Sequence, residues 1–181
     1  MKHFIEVLEK GRDPRHGEIL ASISPETLRV VDDAMRIDWL PIEVNFEATR
    51  AVTRALGVHA GEHFFYRMYA ELFDGPIFSA LMRGIRAMGA TSPGAYLKHG
   101  GRGYVMVFRG VGHIEVGQRE PNAIHYDFHD LPVECFEPEL SWVRYSGATY
   151  LSAFDFTDTR GDMEIVEEAP ERGYARIRFA W

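Results

Sequence analysis

The stretch Ile124-His125-Tyr126-Asp127-Phe128-His129 alternates a large apolar side chain with a polar one at every step. A period of 2 sends the two sets to opposite faces of an extended chain. The segment is therefore expected to be a β-strand that buries Ile124, Tyr126 and Phe128 and leaves His125, Asp127 and His129 on a wet or functional face. Downstream the alternation returns in Met163 and Ile165. It returns again in Ile177, Phe179 and Trp181, opposed by Arg176 and Arg178, with Glu171-Arg172-Gly173 as the turn of a closing hairpin. Upstream, Tyr104 to Phe108 and His113 to Val116 flank Arg109-Gly110-Val111-Gly112, and the expectation is that they pair as a hairpin. A helix over about 139–154 interrupts the strands.

Before residue 102 the apolar period is near 3.6. Ser24-Pro25 gives an N-cap followed by proline, and Leu28, Val31 and Met35 continue the helix to about Ile37, where Asp38-Trp39-Leu40-Pro41 ends it. Ala48, Ala51, Val52, Ala55 and Leu56 form a second stripe closed by Gly57, and Phe65, Met68, Tyr69 and Leu72 a third that stops at Asp74-Gly75-Pro76. Ile77, Leu81, Ile85 and Met88 predict a fourth helix, and Ser92-Pro93 starts a short fifth that runs into Gly100-Gly101. The fold class expected is α+β in a single domain, 1–181. An N-terminal helical subdomain, about 1–101, precedes a mostly antiparallel four- or five-stranded sheet with one late helix, about 102–181.

Composition narrows the function. With 181 residues and 46% hydrophobic side chains, the chain can close a core without a staple. Its 27 acidic and 20 basic residues give a net charge of −7, which repels a phosphate backbone, so nucleic acid is not an expected partner. The single cysteine, Cys135, rules out an intrachain disulfide and any cysteine-built metal cage. Charges interrupt the first ten residues, and the longest apolar run, Tyr104 to Phe108, is too short to span a bilayer; a cytoplasmic protein without membrane contact is expected. The aromatic fraction of 13% exceeds what a minimal core needs. Phe64, Phe65, Tyr66, Tyr69 and Phe73, with Phe78 beyond the turn, read either as core or as the wall of a cavity for an apolar or planar ligand.

Other constellations carry bland and functional readings together. His59 and His63 stand at i, i+4, one face of a helix, where a divalent metal binds; yet Ala60 holds the place of a zinc hydrolase's glutamate, and the alternative is an exposed helix start. Asp127, about 6.7 Å along the strand from either His125 or His129, makes an acid–base pair or belongs to a solvated face. Carboxylates around Cys135 hold its thiol protonated. Gly100-Gly101-Arg102-Gly103 runs from helix into expected strand, the reverse of a phosphate cradle, and reads as a tight connection or hinge. Gly147, inside the late helix, implies close approach by another helix or a ligand.

Three segments, taken in order, resemble a known family: Asp38-Trp39-Leu40-Pro41, the helical stretch from Arg50 to Leu72 with Leu56-Gly57, and Met88-Gly89-Ala90-Thr91-Ser92-Pro93. They resemble the heme nitric oxide/oxygen-binding domains and their heme-free relatives, the 4-vinyl reductase-like small-molecule-binding domains. The chain is also similar to a myxobacterial family of about this length. The resemblance implies a small-molecule pocket between helices and sheet. In the heme-binding family a histidine of the helix before the Gly-Ala-Thr turn binds the iron. Here residues 77–88 contain no histidine and the matching position falls near Ala80, which cannot bond iron; the family's Tyr-x-Ser-x-Arg element is also missing between Val116 and Phe128. The resulting expectation is no cofactor: a heme-free ligand-binding or regulatory domain that works through a homodimer or a partner protein. Its ligand would be lined by Phe65, Tyr69, Phe73, Phe78, Leu81, Tyr104 and Met106. The alternative is an enzyme using His125, Asp127 and His129, or His59 and His63.

Overall fold

The computed structural model describes residues 1–35, 39–75, 84, 87 and 92–181. Helices α1 (Lys2–Lys10), α2 (Arg15–Ser22), α3 (Pro25–Asp33), α4 (Ile42–Leu56) and α5 (Val58–Asp74) build the N-terminal part. The start of α3 is fixed from two directions. The Ser24 hydroxyl oxygen accepts the Thr27 N–H at 3.2 Å, and Glu47 of α4 accepts from the Ser24 N–H at 2.6 Å and from the Thr27 hydroxyl. Burial pushes the Glu47 carboxyl up, but the hydrogen bonds from Thr27 and Ser24 outweigh it and hold the group below its ordinary value. Ser24→Ala is expected to cost about 1 kcal/mol, measured as a lower urea midpoint. Gly57, at φ +76, ends α4 and gives its N–H to the Thr53 carbonyl at 2.8 Å, as the glycine predicts.

Phe64 and Phe65 point about 100° apart on α5, and both are buried because α5 is covered on two sides. Phe64 meets Phe4 of α1 edge-on at 5.8 Å, while Phe65 lies 4.8 Å from Tyr145. These residues, with Leu8, Ile19, Val52 and Met68, form one apolar core.

The second core lies under the sheet. Strands β1 (His113–Glu120), β2 (Ala123–His129), β3 (Asp162–Ala169) and β4 (Tyr174–Ala180) are ordered β1-β2-β4-β3, every neighbouring pair antiparallel. Ile124, Tyr126 and Phe128 are buried opposite Phe179, Ile177 and Ala175, the inner face that the alternation predicts. Two short helices, α6 (Pro93–Leu97) and α7 (Gly100–Val107), precede the sheet. Where one late helix was expected there are two, α8 (Trp142–Thr149) and α9 (Ser152–Phe156). Helix α8 is the seam of the molecule, with Tyr145 in the helical core and Trp142 and Val143 in the sheet core. Gly147 is explained by neither a helix nor a ligand: a Cβ there would collide with Met163 Sδ and Ile177 Cδ1, so the inner face of the sheet presses on it.

The hairpin expected from Tyr104 to Phe108 does not form. Tyr104 to Val107 belong to α7, Phe108 caps its end in extended conformation, and β1 pairs with β2. The glycines of the predicted hinge explain this. Gly100 sits on the Tyr126 ring and Gly101 on the Ile114 carbonyl, so only a backbone without Cβ lets a helix lie this close to β1 and β2. Tyr104 then locks the far end, donating to the Val111 carbonyl at 2.8 Å and accepting from Trp142 Nε1 at 3.0 Å. Ile37 and the helix expected over 77–88 lie outside the described residues, apart from residues 84 and 87. Among the described residues no helix is long and apolar enough to cross a membrane.

Candidate functional site

Between α1, α4, α5, the end of α7 and α8 lies a cavity of about 190 Å³. Phe65 and Tyr69, one turn apart on α5, share its wall with Ala48 of α4 and with Trp142, Tyr145 and Thr149 of α8. An adjoining recess of about 120 Å³ shares Tyr69, Val107 and Phe108 with the cavity and adds Trp39 and Arg109. The Arg109 guanidinium lies 3.8 Å above the Trp39 ring, a cation–π contact that holds a positive charge at the mouth. Two larger depressions, about 500 and 620 Å³, are open grooves along α1. The first is lined by charges that pair with one another, Lys10 with Glu6, Arg15 with Asp13 and Arg67 with Glu71, and it is more open and less apolar than the Tyr69 chamber.

The polar groups of the chamber are few. Burial pushes the Tyr69 hydroxyl up to about 12, and no described residue hydrogen-bonds to it. The Tyr145 hydroxyl pairs with Thr53 Oγ1 at 3.0 Å. His3 Nε2 lies 3.3 Å from the Met68 carbonyl, and because a carbonyl only accepts, that nitrogen carries the proton. The chamber is thus an apolar slot with the half-buried Tyr69 phenol in its wall and a guanidinium at its mouth.

Of the residues expected to line a ligand, the structure brings Phe65 and Tyr69 together on the chamber. Tyr104 is buried one layer deeper, between Trp142 and Phe128. Met106 is 75% exposed on the outer side of α7 and lines neither cavity nor recess. The Phe73 side chain, Phe78 and Leu81 lie outside what is described. Trp142, Tyr145 and Arg109 are not among the residues expected to line a ligand, although the late helix that carries the first two reads as pocket wall in the fold the chain resembles. The aromatic content of 139–154 was the available signal for the first two; Arg109 carried none.

The expected acid–base set is parcelled out among other partners. Asp127 Oδ1 accepts from Arg176 Nε and from the Tyr174 hydroxyl, each at 2.6 Å. His129 stacks on His113 at 5.3 Å, and His125 Nε2 lies 3.5 Å from Glu120. Asp127 is 8% exposed, so the face expected to be wet is closed at its centre. His59 and His63 are exposed on α5, and among the described residues no group of three or more His, Cys, Asp or Glu is placed to hold a metal ion. Burial, with the charge of Glu134, pushes the Cys135 thiol up to about 12, so it stays protonated as expected.

No protein-family model and no curated protein matches the chain. Solved structures do. The Fe(II) unliganded H-NOX protein of K. algicida superposes with a TM-score of 0.67 at 9% identity, over 99% of this chain and 92% of its own. The I5F mutant of T. tengcongensis H-NOX gives 0.60 at 13%, over 99% and 93%. A protein solved to modulate heme redox potential through porphyrin distortion gives 0.58 at 13%, over 99% and 96%. The expectation of no cofactor is overturned here: the structural neighbours are heme-binding H-NOX proteins, and Ala80, on which that expectation rested, lies outside the described residues. At these identities the likeness establishes architecture, and the chain has the fold of an H-NOX domain.

Proposed function

We propose that this chain is a ligand-binding sensor domain whose Tyr69 chamber accepts heme, the group named for proteins that share its fold. The observation that carries the reading is the chamber with its charged mouth. Phe65, Trp142 and Tyr145 offer apolar faces to a macrocycle, and Arg109 is placed for a carboxylate, which it would hold by charge-assisted hydrogen bonds. Cavity and recess, about 190 and 120 Å³, share Tyr69, Val107 and Phe108 and together reach the ~300 Å³ at which small-molecule pockets begin; a porphyrin is larger, so it would take both and part their walls, its carboxylates toward Arg109. Bound heme would supply an iron centre for reversible ligand or electron binding. The chain's own part is to exclude water, orient the ring and hold its charge.

Hemin titrated into the purified protein is expected to saturate near one equivalent, with a Soret band and quenched fluorescence from Trp39 and Trp142. Arg109→Glu should weaken binding about tenfold, and Ala48→Leu, which fills the chamber wall, should weaken it at least as much. Absence of any saturable Soret or fluorescence change sinks the reading. Output passes to a second copy of the chain or to a partner protein; light scattering with and without hemin tests the first, where an unchanged monomer mass excludes it.

A further inference from the structure

We propose that helix α7 and its flanks form a surface that settles on an anionic phospholipid bilayer, with apolar side chains entering the interface and cations meeting the charged headgroups. The inference goes beyond the sensor reading, and no step of it needs an occupied chamber. It revises the expectation of no membrane contact, which rested on the length required to span a bilayer; lying on one requires no such length. Val105, Met106 and Val107 follow one another on α7 and are 47%, 75% and 51% exposed. Successive residues of a helix point about 100° apart, so this end of α7 presents apolar side chains over an arc of about 200°. Neither Val105 nor Met106 lines the chamber, the recess or the grooves along α1, so the surface is a protruding ridge. The exposed Trp39 ring extends it, stacked against Arg109. A single exposed apolar side chain needs no explanation, but three in a row beside an indole mark a contact surface.

Charge complementarity identifies what covers the ridge. Residues 75–114 contain five Lys or Arg and no Asp or Glu, in a chain that carries 27 acidic against 20 basic residues. Lys98, Arg102 and Arg109 are exposed, and among the described residues none of them has a carboxylate within ion-pair distance. Elsewhere Arg50, Arg54, Arg144, Arg176 and Arg178 are each paired with a carboxylate of this chain. Arg102 stands one turn before Val105 and Met106, so a free cation and the apolar ridge share a face. Free cations around a protruding apolar ridge match a surface that is anionic at its headgroups and hydrocarbon beneath. An acidic protein would satisfy the cations, but a ridge gives it no groove to fill. The net charge of −7 does not forbid the approach, because carboxylates farther than about 8–10 Å from the lipid are screened by physiological salt.

The test is cosedimentation of the purified protein with vesicles of phosphatidylcholine, alone or with about one third phosphatidylserine, in about 0.1 M and about 0.5 M salt. Wild type should bind the mixed vesicles at low salt, and bind at least about tenfold more weakly when phosphatidylserine is left out or salt is raised. Met106→Glu and Arg102→Glu should each weaken binding by about tenfold or more, with urea midpoints near that of wild type because both side chains are exposed. Gly103→Ala, on the same helix with open space around it, should bind as wild type does. Wild type that stays off the mixed vesicles overturns the proposal. Equal binding by wild type and Met106→Glu overturns it as well, since the ridge then does not enter the interface. Binding indifferent to phosphatidylserine and salt removes the part given to the cations, with the same consequence. A dimer in light scattering that Met106→Glu dissolves, without vesicle binding, assigns the ridge to a second copy of the chain instead. Hemin enters none of these measurements, so failure here leaves the sensor reading standing, and failure of the hemin titration leaves this one.

Discussion

Gly101→Ala is expected to lower the free energy of unfolding by about 2 kcal/mol, seen as a reduced urea midpoint at unchanged slope. An added Cβ would land on the Ile114 carbonyl oxygen, which is backbone held in β1 and cannot swing aside as a side chain can. Helix α7 must lift from β1, loosening the packing of Tyr104 on Phe128 and its bond to Trp142. Overpacking of this kind costs about 1–3 kcal/mol, and the roughly 1 kcal/mol that alanine gains over glycine inside a helix offsets part of it. Gly103 is the internal control. It lies one helical step beyond Arg102 with open space around its Cβ position, so Gly103→Ala should stabilise by roughly 0.5–1 kcal/mol. Opposite signs two residues apart would establish that 100–107 is a helix seated on the sheet; destabilisation at both positions would contradict that seating.

The same segment shows what the sequence could not convey. Tyr-Val-Met-Val-Phe at 104–108 is rich in β-favouring side chains, and an extended reading puts Tyr104 and Met106 on one face. On a helix two residues are about 200° apart, and Tyr104 is accordingly buried at 2% while Met106 is exposed at 75%. A single error of period thus turned a surface methionine into an expected ligand contact. What decides the conformation is the approach of Gly100 and Gly101 to strands more than ten residues away, and no local pattern carries that contact. By contrast, the strand at 124–128 was legible because one face is buried along its whole length, so burial alone writes the alternation. The chamber divides in the same way. Phe65 and Tyr69 announce themselves by i, i+4 spacing on α5, whereas the opposite wall comes from α8 and the mouth from Trp39 and Arg109, which meet only in the folded chain.

Asp127→Asn is expected to cost about 2 kcal/mol at pH 7 and progressively less in acid. Asp127 stands on the sheet face away from the helices, opposite Glu115 on one side and Arg176 on the other. It is nonetheless enclosed. Arg176 and Tyr174 both donate to Oδ1, and Gly117 leaves room beside Oδ2 that a Cβ would fill. Burial pushes its carboxyl up, but the hydrogen bonds from Arg176 and Tyr174, aided by the charges of Arg176 and His129, outweigh burial and hold it below its ordinary value. A carboxyl lowered in the folded state contributes stability that is fully present above the unfolded value of about 3.9 and is lost as pH falls through the lower folded value. The urea midpoints of wild type and Asp127→Asn should therefore differ at pH 7 and converge below about pH 4. The magnitude follows from two hydrogen bonds to a charged acceptor, reduced because Arg176 is partly solvated. If Asp127 instead served a histidine as an acid–base pair, Arg176→Ala would leave the effect of Asp127→Asn intact. The geometry predicts the opposite: the two substitutions together should cost about 1 kcal/mol less than the sum of the singles, since each removes the same contact.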